Sequence, residues 1–318
     1  MTLTELKYIV AVAREKHFGR AAEGCFVSQP TLSVAIKKLE EELQVKLFER
    51  NANEITVTSL GEEIVRQAQS VLEQADSIRE IARRGKDPLA GSLRLGVIYT
   101  ISPYLLPDLV RQIIEKTPQM PLMLQENFTV KLLEQLRTGE IDCAILAEPF
   151  PDTNLAIAPL YDEPFMAAVP SSHPLAARTS VMAEELKKET LLLLGTGHCF
   201  RDHVLEVCPE FARFSSSAEG ISKSFEGSSL ETIKHMVAAG MGITLVPRLG
   251  VPKAALALSG QDTSPDQPSY IRYLPFEGHV PTRRVVLAWR RSFTRYEAIA
   301  ALRNAIYACE LPGINRLS

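Results

Sequence analysis

Two of the five cysteines, Cys199 and Cys208, lie in a segment rich in side chains that can activate a thiol. His198, Arg201 and His203 surround Cys199 in sequence, and positive or hydrogen-bonding groups stabilise a thiolate, the nucleophilic form of cysteine. A helix that begins here would also direct free backbone N–H groups at the sulfur. Cys208 has fewer such neighbours. The pattern therefore favours a reactive thiolate at Cys199 and a less reactive thiol at Cys208.

The separation of these two cysteines limits how they could react with each other. Phe200, Val204 and Leu205 are spaced as on an amphipathic helix, which predicts helical structure between the cysteines. In one continuous helix the steps from Cys199 to Cys208 would span about 13.5 Å and place the sulfurs on opposite faces. Because a disulfide needs Cα atoms roughly 4.4 to 6.8 Å apart, a bond between them would require the segment to rearrange.

Core packing and metal binding are other interpretations of the cysteines. Free cysteines often serve as small buried hydrophobic residues, and apolar surroundings favour that role for Cys25, Cys143 and Cys309. The groups that a metal site could use are His198, Cys199, His203 and Cys208. Adjacent His and Cys residues close a tetrahedron poorly, however, and no two cysteines are separated by only two residues. We therefore expect neither a metal nor another cofactor.

The 318-residue chain has the composition of a water-soluble globular protein, with 46% hydrophobic residues, 23% charged residues and a mean hydropathy of +0.01. No apolar run approaches the roughly 18 residues of a membrane-spanning helix, and the first residues lack the apolar core of a signal peptide. We expect a cytoplasmic protein without a membrane partner, in which the cysteines stay reduced. A net charge of −3 and a pI near 6.1 leave DNA binding open, since only a local patch is needed.

The first 58 residues have helical patterns separated by short interruptions. A third helix is predicted to begin at Ser28 and Pro30, because serine is a good N-cap and proline suits the first turn. One face of this helix carries the apolar residues Leu32, Ala35, Ile36, Leu39 and Leu43. The opposite face is small, polar and weakly basic, as in a helix that enters the DNA major groove, although a solvated face of a helical bundle has the same pattern. A strand-like run at 54–58 follows Arg50 and could form a wing.

Residues 59–85 are predicted to form one long helix without proline. Apolar residues recur along it at alternating spacings of four and three: Ile64, Ala68, Val71, Ala75, Ile78 and Ala82. This repeat indicates a seam at which two copies of the helix pack as a coiled coil, and alanine at alternate positions permits close approach. We expect a dimer through this helix. Docking of the stripe on its own chain is the alternative.

After a stretch with proline and glycine at 86–91, strands and helices alternate, which predicts an α/β domain with mostly parallel strands. The predicted strands are 93–98, 122–125, 143–146, 191–194, 243–247 and 285–289. The predicted helices are 104–116, 131–138, 230–239 and 295–309. Ligands should bind at the carboxyl ends of the strands. The tract 259–269 has no apolar residue and is expected to be a surface loop.

Several motifs, in order along the chain, resemble the signature of LysR-type transcriptional regulators. They are Ala21–Ala22, Ser28–Ser33, Leu39–Glu40, Leu43, Leu47–Phe48, Arg50 and Thr58–Gly61. The resemblance implies an α/β protein with an N-terminal winged helix-turn-helix domain (1–58), a long linker helix (59–88) and a regulatory domain (89–318). The regulatory domain would have two lobes like those of periplasmic binding proteins, lobe I at 89–162 and 270–318 and lobe II at 163–269.

The resemblance also implies which residues contact DNA. Residues 28–38 would supply the recognition helix, and the wing near Arg50 would reach the DNA backbone or minor groove. The residues expected to contact DNA are Ser28, Gln29, Pro30, Thr31, Ser33, Val34, Lys37, Lys38 and Arg50. The implied partners are double-stranded promoter DNA, RNA polymerase and further copies of the chain, in a dimer or in a tetramer built as a dimer of dimers.

The segment Gly197–Asp202, followed by Cys208, is similar to peroxide-sensing members of this family, as are Thr100, Glu126–Thr129 and Leu191–Gly195. The similarity implies that hydrogen peroxide oxidises the peroxidatic Cys199 to a sulfenic acid, with which the resolving Cys208 condenses to a reversible disulfide. The residues implied to bind peroxide or to tune the thiolate are Thr100, Thr129, His198, Arg201, Asp202 and Arg283. The implied function is a transcriptional activator of oxidative-stress genes, which is not an enzyme.

Other functions fit parts of the sequence. A LysR-type regulator could respond instead to a small organic acid bound between the lobes near Thr100. A thiol peroxidase would use Cys199 in the same first step, but it would leave residues 1–58 unexplained. A periplasmic binding protein would need an export signal, which the first residues do not resemble.

Overall fold

A helical head, one long helix and a mixed α/β region follow each other along the chain. The computed structural model describes residues 1–50, 55–84, 89–151, 154–208, 229–253, 255 and 270–317. The helices are α1 (Leu3–Glu15), α2 (Phe18–Gly24), α3 (Gln29–Leu43), α4 (Ser59–Arg84), α5 (Ser102–Lys116), α6 (Thr129–Thr138), α7 (Ala183–Leu186), α8 (Cys199–Val207), α9 (Leu230–Ala238) and α10 (Tyr296–Ala308). The strands are β1 (Phe48–Arg50), β2 (Ile55–Val57), β3 (Leu93–Ile98), β4 (Leu122–Asn127), β5 (Cys143–Glu148), β6 (Leu155–Pro170), β7 (Thr244–Pro247), β8 (Ile271–Pro275), β9 (Thr282–Arg290) and β10 (Asn315–Arg316). Within the described ranges, no helix is both long and apolar enough to cross a membrane.

The head is a helix-turn-helix followed by a pair of short strands. The Ser28 hydroxyl caps α3 by accepting a hydrogen bond from the Thr31 N–H at 3.3 Å, and Pro30 lies in the first turn, as predicted. The predicted apolar stripe packs in the core of the head, where its fully buried members are Leu32, Ile36 and Leu39. β1 and β2 pair antiparallel, which gives the base of the predicted wing. The tip of the wing, 51–54, lies outside the described residues.

The apolar stripe of the linker helix α4 is buried near the start of the helix and exposed further along it. Ala68 is 3% exposed and packs, together with Ile64, against the core of the head. The stripe residues that are partly or largely exposed are Val71 (37%), Ala75 and Ile78 (69%). The first part of the stripe is therefore covered by the chain itself, which corrects its assignment to a seam. The later part stays a predicted dimer seam, although the side chain of Ala82 lies outside the described residues.

The regulatory sheet has the order β10-β6-β9-β5-β3-β4. β3 pairs in parallel with β4 and β5, whereas β9 is antiparallel to both β5 and β6. β7, β8 and β10 are also antiparallel to β6. The prediction of mostly parallel strands is therefore wrong. Most of the antiparallel pairs involve the long strand β6. This strand was not predicted, because prolines and charged residues interrupt its apolar pattern.

Two hydrophobic cores divide this region into two lobes. β6 contributes Leu160 and Tyr161 to the core of lobe I and Phe165 to the core of lobe II, so the chain enters lobe II near Glu163. β8 pairs with the lobe II half of β6, and its Leu274 packs in the lobe II core. The return to lobe I therefore follows residue 276, and the predicted boundary between 269 and 270 is corrected. The predicted loop at 259–269 lies outside the described residues.

The predicted strand at 191–194 is not formed. Leu191 makes only an isolated bridge with Ile243, and the Leu192 carbonyl accepts a hydrogen bond from the Thr244 hydroxyl at 2.8 Å. Leu192 and Leu194 nevertheless pack in the lobe II core. A run of leucines indicates that a segment is buried, but a buried segment can be either a strand or irregular.

A polar clasp, formed by Glu73, Arg290 and Ser292, fixes the linker helix to lobe I. Glu73 of α4 forms an ion pair with Arg290 at the end of β9, with an N–O distance of 2.5 Å, and accepts a hydrogen bond from the Ser292 hydroxyl at 2.6 Å. Arg290 is buried and also donates to the carbonyls of Leu136 and Ile141 at 2.5 and 2.7 Å. The linker is thus held by the last residue of a central strand.

The buried stripe of α3 generates a prediction about stability. We expect Leu39→Ala to lower the free energy of unfolding by about 2–5 kcal/mol, because it removes buried methyl groups and leaves a cavity in the head. Val34→Ala, on the exposed face of the same helix, is the matched control and should change this free energy by less than about 0.5 kcal/mol. Urea denaturation of the full chain followed by circular dichroism measures both. Equal effects of the two substitutions would contradict the assigned burial.

Candidate functional site

Three elements meet at the boundary between the lobes. β3 and β4 are parallel neighbours with Ile98 opposite Asn127, so both strands end at the same edge of the sheet. Thr100 follows β3, Thr129 begins α6 directly after β4, and Cys199 begins α8 of lobe II. Strand ends and helix starts therefore bring the predicted thiol and both predicted hydroxyls together, at the carboxyl edge where ligands are expected.

These residues enclose a small cavity between the lobes. Its lining consists of Ile98, Tyr99, Thr100, Asn127, Phe128, Thr129, Gly197, His198 and Cys199. The centre of a water-sized molecule can occupy about 10 Å³ of this space. A space of that size accommodates roughly one such molecule. The cavity therefore suits a ligand of very few atoms.

Burial and polar contacts act in opposite directions on Cys199. Desolvation raises the pKa of the Cys199 thiol above its ordinary value. The Thr129 hydroxyl, the Arg283 guanidinium and the Phe200 N–H act against this rise because they favour the thiolate, whereas Asp202 adds to it. The raised pKa acts against the reactive thiolate that the sequence neighbours favour. The cause is the burial of the sulfur between the lobes, which neighbouring residue types do not reveal.

The Thr129 hydroxyl is placed to bind a ligand. Its oxygen is buried and has no nitrogen or oxygen partner among the described residues. Buried hydroxyls normally form a hydrogen bond, and the partner of this one is the Cys199 sulfur. The hydroxyl lines the cavity and lies beside the Cys199 sulfur. A small molecule with an O–H group in the cavity would donate to the hydroxyl oxygen, which accepts from no nitrogen or oxygen of the described residues.

Arg283 lies at the centre of the site. It is buried and donates to the Thr100 hydroxyl at 2.8 Å and to the Thr100 carbonyl at 3.0 Å. It also donates to the Glu163 carboxylate at 2.8 and 2.9 Å, and its guanidinium lies 5.4 Å from the centre of the Phe200 ring. Glu163 in turn accepts from the Leu249 N–H at 2.8 Å. Glu163 was not among the predicted site residues, and its only signal in the sequence is an acidic residue at the predicted crossing between the lobes.

Two predicted tuning residues on α8 have other roles. Arg201 donates to the Leu194 carbonyl at 2.9 Å, and the cation that favours the Cys199 thiolate is Arg283. Arg201 therefore holds the segment before α8 in place. Asp202 is exposed, and its charge acts against the thiolate. The Arg201 side chain turns back to a backbone carbonyl in its own lobe, and its effect on the thiolate stays a prediction.

The two histidines near Cys199 also differ. His198 is 6% exposed, and its ring packs against Phe128 and Tyr99 at the cavity. His203 donates from Nε2 to the Glu148 carbonyl at 2.7 Å, and burial lowers the pKa of its imidazole. A neutral His203 joins α8 to the end of β5. In the part of the chain that the structure describes, no group of three or more potential metal ligands comes together.

α8 holds the two cysteines at its opposite ends, and neither is bonded to another cysteine. It begins at Cys199 and its C-cap is Cys208, which confirms the helix predicted between them. Their Cα atoms are therefore separated by about 13.5 Å along the helix axis. Cys199 packs against the core of lobe I, whereas Cys208 is fully buried in the core of lobe II. A bond between them would remove at least one thiol from its core.

The helix α3 presents most of the predicted DNA contacts to solvent. The exposed ones are Ser28, Gln29, Pro30, Thr31, Val34, Lys37 and Lys38, while Ser33 is half-buried. Lys37 lies 3.6 Å from the carboxylate of Glu41, an exposed pair that is weak in water. Arg50 belongs to β1, and its side chain lies outside the described residues. The face is thus accessible, and its contact with DNA stays a prediction.

Known proteins resemble the chain over almost its whole length. Residues 3–62 match the family described as bacterial regulatory helix-turn-helix protein, lysR family, and residues 86–308 match the LysR substrate binding domain. The chain is 38% identical over 303 residues to the DNA-binding transcriptional dual regulator OxyR of Escherichia coli K12, with 94% of each chain covered. It is 38% identical, with the same coverage, to the hydrogen peroxide-inducible genes activator of Dickeya chrysanthemi.

Solved structures are similar as well. Full-length OxyR from Pseudomonas aeruginosa, carrying one substitution, is 49% identical and has a TM-score of 0.75, with 98% of this chain and 99% of that chain covered. A reduced form of OxyR from N. meningitidis is 39% identical and has a TM-score of 0.64, with 71% of this chain and 99% of that chain covered. These matches confirm the predicted fold class.

The hydroxyl beside the sulfur generates a prediction about pH dependence. Thr129→Val removes a donor that favours the thiolate, so we expect a higher pKa for Cys199 and an alkylation rate at neutral pH lower by about tenfold, equal to ~1.4 kcal/mol. Because thiolate forms as pH rises, the rate should increase with pH in both proteins and be displaced to higher pH in the variant. Mass spectrometry of the alkylated Cys199 peptide measures the profile.

Thr138→Val is the matched control, because the Thr138 hydroxyl lies in the same helix but donates to the Gln135 carbonyl outside the cavity. Its profile should coincide with that of the parent chain. If the profile of Thr129→Val coincided with it too, the Thr129 hydroxyl would have no role in thiolate stabilisation.

Proposed function

The chain belongs to the LysR family of bacterial regulatory helix-turn-helix proteins, and we propose that within this family it is a hydrogen peroxide sensor that regulates transcription through a Cys199–Cys208 disulfide. The observation that carries the proposal is the cavity, in which a thiol and a buried hydroxyl that hydrogen-bonds to it share a space for very few atoms. The relatives named as hydrogen peroxide-inducible activators support the same function.

The first chemical step takes place in the cavity. The Cys199 thiolate attacks one oxygen of hydrogen peroxide, so that an S–O bond forms while the O–O bond breaks, and the leaving hydroxide takes up a proton to become water. The sulfur loses two electrons and the peroxide gains them. Arg283 and Thr129 favour the thiolate before attack. Because the Thr100 oxygen accepts from Arg283, its own O–H is free to donate to the peroxide.

The second step joins the two ends of α8. The Cys208 thiolate attacks the sulfenic sulfur, an S–S bond forms, and the hydroxyl group leaves as water with a proton from the medium. This step requires the helix between the cysteines to unwind, since their Cα atoms must approach to within roughly 6.8 Å. Cys208 then leaves the lobe II core. Oxidation biases this change by about 1.4 kcal/mol for every 30 mV of difference in two-electron potential.

The rearrangement acts on the DNA-binding heads. Two copies joined along the open part of α4 would present two α3 helices to half-sites separated by whole turns of the duplex. A change in the packing of the regulatory lobes alters that separation and the contact with RNA polymerase. A regulator of this kind acts in the cytoplasm, whose reducing conditions return the disulfide to thiols. Each molecule is oxidised once and stays oxidised until its disulfide is reduced, so the protein signals without catalytic turnover.

The rival ligand, a small organic acid, is not favoured by the site. A carboxylic acid of several carbon atoms exceeds the space beside Cys199, which holds roughly one water-sized molecule. Loss of two fast-reacting thiols on treatment with micromolar peroxide is expected for the sensor but not for a regulator that binds an organic acid. A thiol peroxidase would instead consume peroxide continuously when supplied with a thiol reductant.

Cys208→Ser tests the disulfide. We expect Cys199 of this variant to react with peroxide and stop at the sulfenic acid, because no resolving thiol remains. The peroxide-induced changes in DNA footprint and in transcription should then fall to nearly the level of the reduced protein. Cys309→Ser is the matched control, since serine can keep the hydrogen bond that the buried Cys309 donates to the Ala305 carbonyl. Full activation of Cys208→Ser by peroxide would refute the switch.

Ile78→Lys tests the dimer seam. Placing like charges opposite each other on the open part of α4 should weaken self-association by at least about tenfold in Kd, or ~1.4 kcal/mol. Met182→Lys places the same charge on a similarly exposed apolar residue outside α4 and should leave association as in the parent chain. Sedimentation equilibrium compares them. Unchanged association of Ile78→Lys would move the dimer contact away from this helix.

A further inference from the structure

Three rings form an aromatic cluster, Tyr99, Phe128 and His198, at the opening of the cavity. The Phe128 ring centre lies 4.8 Å from that of His198 and 5.3 Å from that of Tyr99, both in edge-to-face arrangements, and the Tyr99 and His198 centres are 5.8 Å apart. Each ring therefore contacts the other two at distances typical of favourable aromatic pairs. The three side chains therefore pack as one group, in which every ring contacts both others.

This aromatic cluster borders both the cavity that contains Cys199 and the solvent. All three residues line the cavity together with Cys199. Tyr99 and Phe128 are 36% and 37% exposed, whereas His198 is 6% exposed, so the layer has an outer and an inner side. The exposed parts of Tyr99 and Phe128 face solvent, and both rings also line the cavity.

The backbone limits how far the layer can open. Gly197, directly before His198, has a φ of +97°, a conformation that favours glycine. A Cβ atom at this position would lie 3.3 Å from the Phe128 ring, so the chain passes directly against the ring face. Phe128 is thus packed between Tyr99, His198 and the backbone segment at Gly197. A displacement of the Phe128 ring would therefore disturb all three of these neighbours.

We propose that the aromatic cluster is a size filter that admits hydrogen peroxide to Cys199 and excludes organic hydroperoxides with bulky alkyl groups. The inference rests on the proposed function. Sulfur attacks the terminal oxygen of a hydroperoxide, the O–O bond breaks, and the second oxygen leaves along the same line, as water from hydrogen peroxide or, after taking up a proton, as an alcohol from an organic hydroperoxide. The group on that second oxygen must therefore fit opposite the sulfur, where the cavity is small.

The filter predicts which variants accept larger oxidants. In the full chain, we would measure the rate of loss of the Cys199 thiol with hydrogen peroxide, tert-butyl hydroperoxide and cumene hydroperoxide, by quenched alkylation and mass spectrometry. For Phe128→Ala and Tyr99→Ala, the ratio of the organic rates to the hydrogen peroxide rate should rise by about tenfold or more, as for pockets that lose a steric contact. Tyr99→Phe keeps the ring and should keep the parent ratio.

Two controls separate filtering from general loosening. Tyr296→Ala removes an exposed ring that does not line the cavity, and its ratio should equal that of the parent chain. Cys143, fully buried in lobe I, reports loosening in the same samples and should stay unreactive. A parent-like ratio in both alanine variants, or a higher ratio accompanied by reaction of Cys143, would overturn the filter. If Cys199 of the parent chain reacted with hydrogen peroxide no faster than Cys25, the proposed function itself would fail.

Discussion

Arg283 and Glu163 form a fully enclosed ion pair at the point where the chain crosses between its two lobes, and the rest of the site depends on it. Loss of one partner of such a pair typically costs about 3–5 kcal/mol, because a buried charge is left uncompensated. Neither residue can therefore move alone. Since Arg283 holds Thr100 of lobe I and Glu163 accepts from Leu249 of lobe II, the cation, a cavity hydroxyl and the crossing between the lobes form one unit.

The strand β9, which carries Arg283, also contacts the linker helix α4. Arg283 lies near the start of β9 and Arg290 at its end, which corresponds to about 23 Å of extended chain. Arg290 is paired with Glu73 of α4, and Ala68, further back on α4, packs in the core of the head. A continuous series of packed and paired groups therefore runs from the reactive thiol to the DNA-binding helices. Arg283 and the head are thus joined through β9 and α4 by contacts within one chain.

The helix between the cysteines gives the reduced state its stability. As long as α8 is intact, Cys199 belongs to the boundary of lobe I and Cys208 to the interior of lobe II. The distance along the helix keeps the two sulfurs out of bonding range. A thiol placed close to its partner could be linked with little change of shape. Because of this separation, a bond between the two cysteines would require the packing of both lobes to change.

The sequence by itself determined the features that depend on local interactions: the capped α3 with its buried stripe, the long α4, and the helix that separates Cys199 from Cys208. Helical periodicity and capping involve residues within about four positions of each other, so they can be read from the order of residues. Only the tertiary structure decided the antiparallel path of β6, the partnership of Glu163 with Arg283, the turning away of Arg201 and the raised pKa of Cys199. These depend on desolvation and on contacts between distant segments, which residue types and spacing do not encode individually.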